Sequence, residues 1–140
     1  MSGLLIDTCA LSELKKESPN KGVLAFFKKQ NEKALYLSVI TIGELAKGIG
    51  LLPKSKKRTQ LEDWLTGLEK EFSSSILPIT TDIAQLWGEL LASSQLQGKS
   101  RPVIDTLIAA TALSHGLKLV TRNEADFEHT GVRIVNPWKT

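Results

Sequence analysis

The sequence predicts an α/β domain built around a mainly parallel sheet. Short apolar runs rich in Leu, Val and Ile alternate with segments of helical periodicity, as in folds whose parallel strands are joined by crossover helices. The runs are nearly continuous rather than alternating, which is typical of strands covered by helices on both faces. With 140 residues the chain has the size of one domain, so we expect residues 1–140 to fold as a single unit.

Helical segments with recognisable starts separate the predicted strands. Ser18 is an N-cap candidate followed by Pro19 at the first helical position, and the Thr80-Thr81 pair precedes another amphipathic run. The predicted strands are Leu4–Ile6, Leu35–Val39, Ile76–Ile79, Leu117–Thr121 and Val132–Val135.

Two tryptophans lie on apolar helical faces. Trp64 and Trp87 follow the helical spacing of their leucine neighbours, so we predict that both belong to the core rather than to a base-stacking surface. A last long helix is predicted from about Pro102 to His115, ending at Gly116, because glycine is common at helix C-termini.

The composition excludes several classes of protein. Hydrophobic residues make up 41% and charged residues 24% of the chain, which fits neither a disordered nor a membrane-spanning protein. The N-terminal residues lack the pattern of a signal peptide. The single cysteine, Cys9, rules out an internal disulfide, so we expect a protein of the reducing cytoplasm.

The excess of positive charge is small but clustered. Lys and Arg number 18 against 15 Asp and Glu, which gives a net charge of +3. A solvated lysine-rich face is the simplest interpretation, and a polyanionic partner is the alternative. The clustered cations are Lys47, Lys54, Lys56, Lys57 and Arg58, with Lys15, Lys16, Lys28 and Lys29 elsewhere.

Four acidic residues are predicted to meet at one edge of the sheet. Asp7 follows the first strand, and Asp126 follows the fourth. Glu44 lies in the predicted first turn of the helix after the second strand. Asp105 lies in the first turn of the helix that runs back to the fourth strand, so it starts at the same edge. Ligands of parallel α/β folds bind at the carboxyl ends of the strands, and this placement therefore favours a common site.

Each acid also has a purely structural interpretation. Asp7 can cap the next helix, and Glu44 fits a capping box over residues 41–44. Asp105 can complement a helix dipole, and Asp126 can lie at the surface. Taken together, the structural interpretations explain the four acids less well than a common site does. Asp105 lies among apolar neighbours on a helix without a Lys or Arg to pair with it, and a partly buried carboxylate needs a partner. Carboxylates that converge without cations favour a hard divalent ion, Mg²⁺ or Mn²⁺.

Such an acid cluster suits the hydrolysis of phosphodiester bonds. A divalent ion generates hydroxide from bound water and offsets charge on the phosphate. We predict Asp7 and Asp105 as the core metal ligands and Glu44 as a ligand, directly or through water, that also helps to deprotonate the nucleophile. Asp126 would complete this catalytic set. The predicted supporting residues are Thr8, Thr121 and Asn123.

Four segments carry a resemblance to a known family nearly from end to end: LLIDTCALSEL, LSVITIGELAKGI, VIDTLIAATALSHGLKLVTRNEADF and the closing VRIVNPW. They resemble the PIN domain, in particular the VapC-type toxins of bacterial type II toxin–antitoxin systems. The acids of the family fall on Asp7, Glu44 and Asp105. At the fourth position many members carry an acid where this chain has Asn123, and Asp126 comes three residues later.

The resemblance implies a three-layer α/β/α sandwich and a single PIN-like domain. It implies an endoribonuclease that depends on Mg²⁺ or Mn²⁺, with RNA as its substrate. It also implies a small cognate antitoxin that inserts a segment across the acidic site, and a homodimer or a hetero-oligomer with that antitoxin. The alternative from another class is a non-catalytic PIN-fold module that binds RNA or protein. The intact set of Asp7, Glu44 and Asp105 argues against it.

Three other chemistries fit the sequence poorly. Phosphoryl transfer through an aspartyl intermediate would need a second Asp two residues after Asp7, where Cys9 stands. A cysteine hydrolase needs a histidine near Cys9, whereas His115 is predicted at the far end of its helix and His129 in a late loop. Dinucleotide binding would need a G-x-G-x-x-G run after the first strand, and TCALSE is found instead.

Overall fold

A computed structural model of the protein describes residues 3–139. Within them, five strands form one sheet in the order β3-β2-β1-β4-β5, and every neighbouring pair is parallel. The predicted α/β class with its parallel sheet is therefore confirmed. The strands are β1 (Leu4–Ile6), β2 (Leu35–Ser38), β3 (Ile76–Leu77), β4 (Lys118–Val120) and β5 (Ile134–Val135).

Helices cover both faces of this sheet. None of those in the described part of the chain combines the length and the apolar character needed to span a membrane. The α-helices are α1 (Thr8–Leu14), α2 (Lys21–Lys28), α3 (Val39–Gly50), α4 (Lys56–Glu71), α5 (Thr81–Leu96) and α6 (Val103–His115). Short 3₁₀ helices cover Glu32–Ala34, Glu124–Thr130 (the 124–130 segment) and Pro137–Lys139.

The alternation of side chains along β1 divides the core into two halves. Leu4 and Ile6 pack with residues of α1, α3 and α4 on one face, whereas Leu5 packs with α6 and with Phe127 on the other. Helix α5 lies outside α6, where Ile83 meets Leu107. The arrangement is the three-layer α/β/α sandwich that the resemblance implied.

The chain path creates a crevice between β1 and β4. From β1 the chain moves outward to β2 and β3 through α1–α4, and it then returns over the other face through α5 and α6 to β4 and β5. Strands β1 and β4 are neighbours whose connections leave on opposite faces of the sheet. Ligand sites of open α/β sheets form at the carboxyl ends of such a strand pair.

Helix α6 is packed more deeply than the other helices, because small residues fill its buried stretch. Every residue from 106 to 112 is buried, and Ala109, Ala110 and Ala112 allow the sheet and α5 to approach closely. The helix ends at Gly116, which has φ = 65° and adopts the left-handed conformation that glycine tolerates best. The predicted extent of this helix and its glycine end are confirmed.

Two predicted helix starts are wrong. Helix α2 is capped by Asn20 rather than Ser18: the Asn20 Oδ1 accepts from the Val23 N–H at 3.1 Å. The Glu13 carboxylate accepts from the Asn20 N–H at 2.9 Å, and this contact fixes the later residue as the cap. Helix α3 already begins at Val39, one residue inside the predicted strand, because the buried Ser38 hydroxyl accepts from the N–H of residue 40 at 3.0 Å.

The early start of α3 removes the predicted capping box. Glu44 lies in the second turn of the helix rather than the first, so it cannot cap the N-terminus. The structural interpretation of this glutamate therefore fails. The first strand has the predicted bounds, whereas the predictions for β3, β4 and β5 are correct in place but too long at their ends. Strand β3 stops before Pro78, which has no N–H to donate.

Both tryptophans pack against hydrophobic cores, as predicted, but each is only half-buried. The Trp87 Nε1–H donates to the Val103 carbonyl at 2.9 Å, which ties α5 to the first turn of α6. Trp64 keeps one face toward a groove between α1 and α4, where the Lys15 ammonium lies 5.7 Å from the centre of its ring.

Candidate active site

Asp7 is fixed at the carboxyl end of β1 by three hydrogen bonds. Its N–H donates to the Val120 carbonyl at 3.0 Å, which continues the pairing of β1 with β4. Its Oδ1 accepts from the Thr8 N–H at 2.8 Å, and its Oδ2 accepts from the Thr121 hydroxyl at 2.9 Å. Asp7 does cap α1, as the structural interpretation held, and the same bonds orient a buried carboxylate toward the crevice edge.

Burial governs the ionisation of Asp7. It raises the pKa of this carboxyl, and the nearby charge of Glu44 raises it further. The hydrogen bonds from the Thr121 hydroxyl and the Thr8 N–H oppose this effect by favouring the ionised form. Thr121, which is itself fully buried, therefore supports the anionic state of Asp7.

Thr121 links three residues at the end of β4. Its single hydroxyl proton is donated to Asp7, and its oxygen accepts from the Asn123 N–H at 3.1 Å. The Cys9 Sγ lies 3.5 Å from the same oxygen and 3.7 Å from the Asp7 Oδ2. Burial and the charge of Asp7 raise the pKa of the Cys9 thiol, so it stays protonated.

Glu44 is connected to the same site through Thr8. The Thr8 hydroxyl donates to the Glu44 Oε1 at 2.6 Å, while the N–H of the same threonine binds Asp7. One residue in the first turn of α1 thus orients a carboxylate of β1 and a carboxylate of α3. The supporting position predicted for Thr8 agrees with these two contacts.

Asp105 has the most perturbed carboxyl of the group. It is half-buried in the first turn of α6, and its pKa is raised to about 6, mainly by burial. The negative charges of Asp7, Asp126 and Glu44 add to the rise, in that order. All four acids predicted from the sequence therefore lie within electrostatic reach of one point at the crevice edge.

The four acids have no cationic partners in the described part of the chain. The ion pairs between side chains of residues 3–139 are Lys16 with Glu13, Arg58 with Glu62 and Lys139 with Glu124. A group of carboxylates whose charges raise a neighbour's pKa would be stabilised by a bound cation.

The donor set fits a hard divalent ion in its chemistry. Carboxylate and hydroxyl oxygens are the ligands preferred by Mg²⁺ and Mn²⁺. Among residues 3–139, no three acidic, cysteine or histidine side chains stand close enough together to hold a metal ion. The carboxylates are thus coupled by charge but spread around the crevice, so side chains such as Asp105 would have to turn inward to share an ion.

The clustered cations of the sequence lie partly beside these acids. A groove of about 290 Å³ between α1, α3 and α4 is lined by Thr8, Glu44, Lys15 and Lys57, among others. Lys16 also lines it but is paired with Glu13, and Arg58 binds Glu62 and the Leu52 carbonyl. Part of the predicted basic face therefore borders the acidic site.

Two contacts near the acids were missed by the sequence interpretation. The sequence interpretation gave Cys9 no place at the acidic site, although its position two residues after Asp7 places it in the same turn. His129 was considered only as a base for a cysteine hydrolase, whereas it lies 3.0 Å from the Thr106 hydroxyl behind Asp105. No spacing rule connects residues 106 and 129, so this second contact had no sequence signal.

The fold and the coupled carboxylates define an α/β protein with an acidic site at the carboxyl edge of a parallel sheet. The sequence profile of the PIN domain matches residues 4–132, most of the chain. The chain belongs to the PIN-domain family, and the resemblance found in the sequence is confirmed.

Known proteins that resemble this chain do so over nearly its full length. A VapC ribonuclease of Sinorhizobium fredii is 36% identical over 137 residues, which are 97% of this chain and 98% of the relative. The crystal structure of FitAcB from Neisseria gonorrhoeae superposes with a TM-score of 0.92 at 33% identity, covering 98% of this chain and 99% of that one. A toxin–antitoxin complex from Klebsiella pneumoniae gives a TM-score of 0.72 at 26% identity, covering 96% and 98%.

Proposed function

We propose that this chain is the toxin of a toxin–antitoxin pair, a divalent-metal-dependent endoribonuclease that cleaves RNA phosphodiester bonds within a single PIN-like domain. One observation carries the proposal: burial and three neighbouring carboxylates raise the pKa of Asp105 to about 6. Such a cluster is costly without a counter-charge, and a divalent cation would supply one. The 36% identity to a VapC ribonuclease supports RNA as the substrate.

Asp7 and Asp105 are the residues that would hold the metal ion. Bound Mg²⁺ or Mn²⁺ supplies Lewis acidity and lowers the pKa of a coordinated water. The Thr8 N–H and the Thr121 hydroxyl keep the Asp7 carboxylate ionised and fixed in direction. Because these donors are part of the folded backbone and of a buried side chain, Asp7 is oriented before any ligand arrives.

Glu44 has the geometry of a residue that helps to deprotonate the nucleophilic water. The Thr8 hydroxyl occupies its Oε1 and so leaves Oε2 for a metal ion or for the nucleophilic water. Glu44 also borders the groove that contains Lys15 and Lys57, whose ammonium groups would bind the phosphates of an extended RNA strand. Cleavage would then occur where this groove meets the acidic crevice.

Asp126 is our candidate for the fourth acid, and Asn123 for a supporting role. The charge of Asp126 raises the pKa of Asp105, which supports a place for Asp126 at the same site. The Asn123 N–H is committed to the Thr121 hydroxyl, so this residue contributes through its backbone. In our proposal Asn123 therefore steadies the end of β4, while Asp126 completes the anionic site.

The proposed partners are a small cognate antitoxin and a second copy of the chain. The toxin–antitoxin complex with 26% identity supports the first of these. Around Glu44, exposed aliphatic side chains border a second groove: Val39, Leu51 and Ile104 are exposed by 39%, 77% and 43%. Apolar side chains at this density are typical of a surface that a partner covers. Co-expression with the neighbouring reading frame should yield a co-purified small protein, and its absence would contradict the partner proposal.

Cleavage of RNA in defined metal conditions tests the enzymatic proposal. The purified chain should cut single-stranded RNA with Mg²⁺ or Mn²⁺ and stop when EDTA is added. Asp7→Asn and Asp105→Asn should abolish cleavage and the growth arrest that follows induction, whereas the control Asp63→Asn, an exposed acid of α4, should change neither. Binding of RNA without cleavage by the wild-type chain would favour the non-catalytic alternative instead.

A further inference from the structure

A polar contact behind the acidic site joins α6 to the 124–130 segment. The fully buried Thr106 hydroxyl donates to the Pro102 carbonyl at 2.7 Å and lies 3.0 Å from the His129 Nε2. Thr106 directly follows Asp105 in the chain, and His129 follows Asp126 by three residues. The contact therefore links the two backbone segments that carry Asp105 and Asp126.

The hydroxyl of Thr106 fixes the tautomer of His129. A threonine hydroxyl has one proton, and here the Pro102 carbonyl receives it. The Thr106 oxygen can therefore only accept from His129, so the imidazole must carry its hydrogen on Nε2. Burial and the charge of Arg101 lower the pKa of His129, which keeps the ring neutral and leaves Nδ1 as an acceptor.

Two buried atoms next to this contact lack hydrogen-bond partners. Among the described residues, the His129 Nδ1 and the Arg101 Nε are both buried and unpaired. One of them is an acceptor and the other is a donor. The Arg101 charge lowers the pKa of His129, so the two side chains lie within electrostatic range, but the structure forms no hydrogen bond between these two atoms. The observed polar contact of the His129 ring is therefore the one that its Nε2 makes with Thr106.

We propose that the hydrogen bond between His129 and Thr106 positions Asp105 against Asp126. The His129 Nε2–H donates to the Thr106 oxygen, and the Thr106 hydroxyl in turn donates to the Pro102 carbonyl. His129 is a positioning residue: it touches neither substrate nor metal, and it sets the separation of two carboxylates through the backbone on either side. The inference rests on the proposed metal site for its effect on ion binding, but not for the hydrogen bonds themselves.

Paired substitutions separate positioning from simple loss of packing. His129→Leu removes both ring nitrogens at similar volume, whereas His129→Gln keeps an amide donor near the position of Nε2. We expect His129→Leu to weaken Mn²⁺ binding, followed by the electron paramagnetic resonance signal of free Mn²⁺, by roughly 10-fold. His129→Gln should recover most of that loss, and the matched control His115→Leu, an exposed histidine at the end of α6, should bind like the wild type.

Nuclear magnetic resonance without metal gives a readout that does not depend on the proposed function. Long-range ¹H–¹⁵N spectra of the wild type should show the His129 ring as the neutral Nε2–H tautomer. The amide resonances of Asp105 and Asp126 should move in His129→Leu and return in His129→Gln. An Nδ1–H tautomer, or equal defects in the Leu and Gln variants, would overturn the inference. A wild type that binds no Mn²⁺ but shows these spectra would instead count against the metal proposal alone.

Discussion

Replacing Asp105 by asparagine should stabilise the metal-free protein at neutral pH while it removes activity. The carboxyl of Asp105 has a pKa of about 6 in the folded chain and 3.8 as its ordinary value. The folded state therefore binds a proton more tightly than the unfolded state does. The stability that this proton contributes is complete below about pH 4 and is lost as the pH rises through 6. Asparagine has the same shape and no charge to bury, so the Asp105→Asn protein should not lose this stability as the pH rises.

The expected gain in stability follows from the size of the pKa shift of Asp105. A rise from 3.8 to about 6 corresponds to at most about 3 kcal/mol at 1.36 kcal/mol per pKa unit. Asp105 is only half-buried, and screening by solvent reduces the expected gain to about 1–2 kcal/mol. For a chain of this size the midpoint of thermal unfolding should then rise by about 3–7 °C at pH 7.5.

Thermal and urea unfolding in EDTA, at pH values from 4.5 to 7.5, measure this difference. Asp105→Asn should exceed the wild type in stability at pH 7.5 and approach it at pH 4.5. Added Mn²⁺ should stabilise the wild type and leave the variant unchanged. An Asp105→Asn protein that is less stable than the wild type at pH 7.5, or a difference that does not vary with pH, would refute the reasoning.

Three further substitutions address the residues around Asp105. Thr121→Val removes the hydroxyl donor to the Asp7 carboxylate, so it should cost about 1–3 kcal/mol of stability. The pKa of Asp7 should then rise, which moves the acid limb of the pH–rate profile to higher pH. Thr121→Ser keeps a hydroxyl donor and should restore both properties. Glu44→Gln keeps an acceptor for Thr8 and has no capping role to lose, so cleavage should fall by about 100-fold while the unfolding free energy changes by less than about 0.5 kcal/mol. Asp126→Asn should reduce cleavage partially and lower the pKa of Asp105, which the ¹³C resonance of the Asp105 carboxyl reports. An unchanged pKa would contradict the proposal that Asp126 and Asp105 belong to one site.

The sequence predicted the features that local spacing and chain topology control. The apolar runs gave all the strands in place, and the carboxyl-edge rule brought Asp7 and Asp105 to one site before any contact was known. The wrong helix start at Ser18 has a cause outside the helix itself: Asn20 is an equally good cap, and the Glu13 carboxylate of the preceding helix selects it.

The contacts that complete the site have a similar explanation. Thr8 reaches Glu44 across 36 residues, and His129 meets Thr106 across 23. Such pairs depend on how α1, α3 and α6 pack around the sheet, and periodicity along one chain carries no information about them. The proximity of the acids could be predicted because their positions at strand and helix ends are set by topology, and their catalytic role stays a prediction. The residues that orient those acids required the structure.

Anomalous diffraction from a crystal soaked in Mn²⁺ tests the central claim most directly. Our account predicts a manganese peak between the Asp7 and Asp105 carboxylates, within bonding distance of an oxygen of each, with Glu44 or Asp126 in direct or water-mediated contact. Absence of a peak at the crevice edge, with the two carboxylates too far apart to share an ion, would contradict the account.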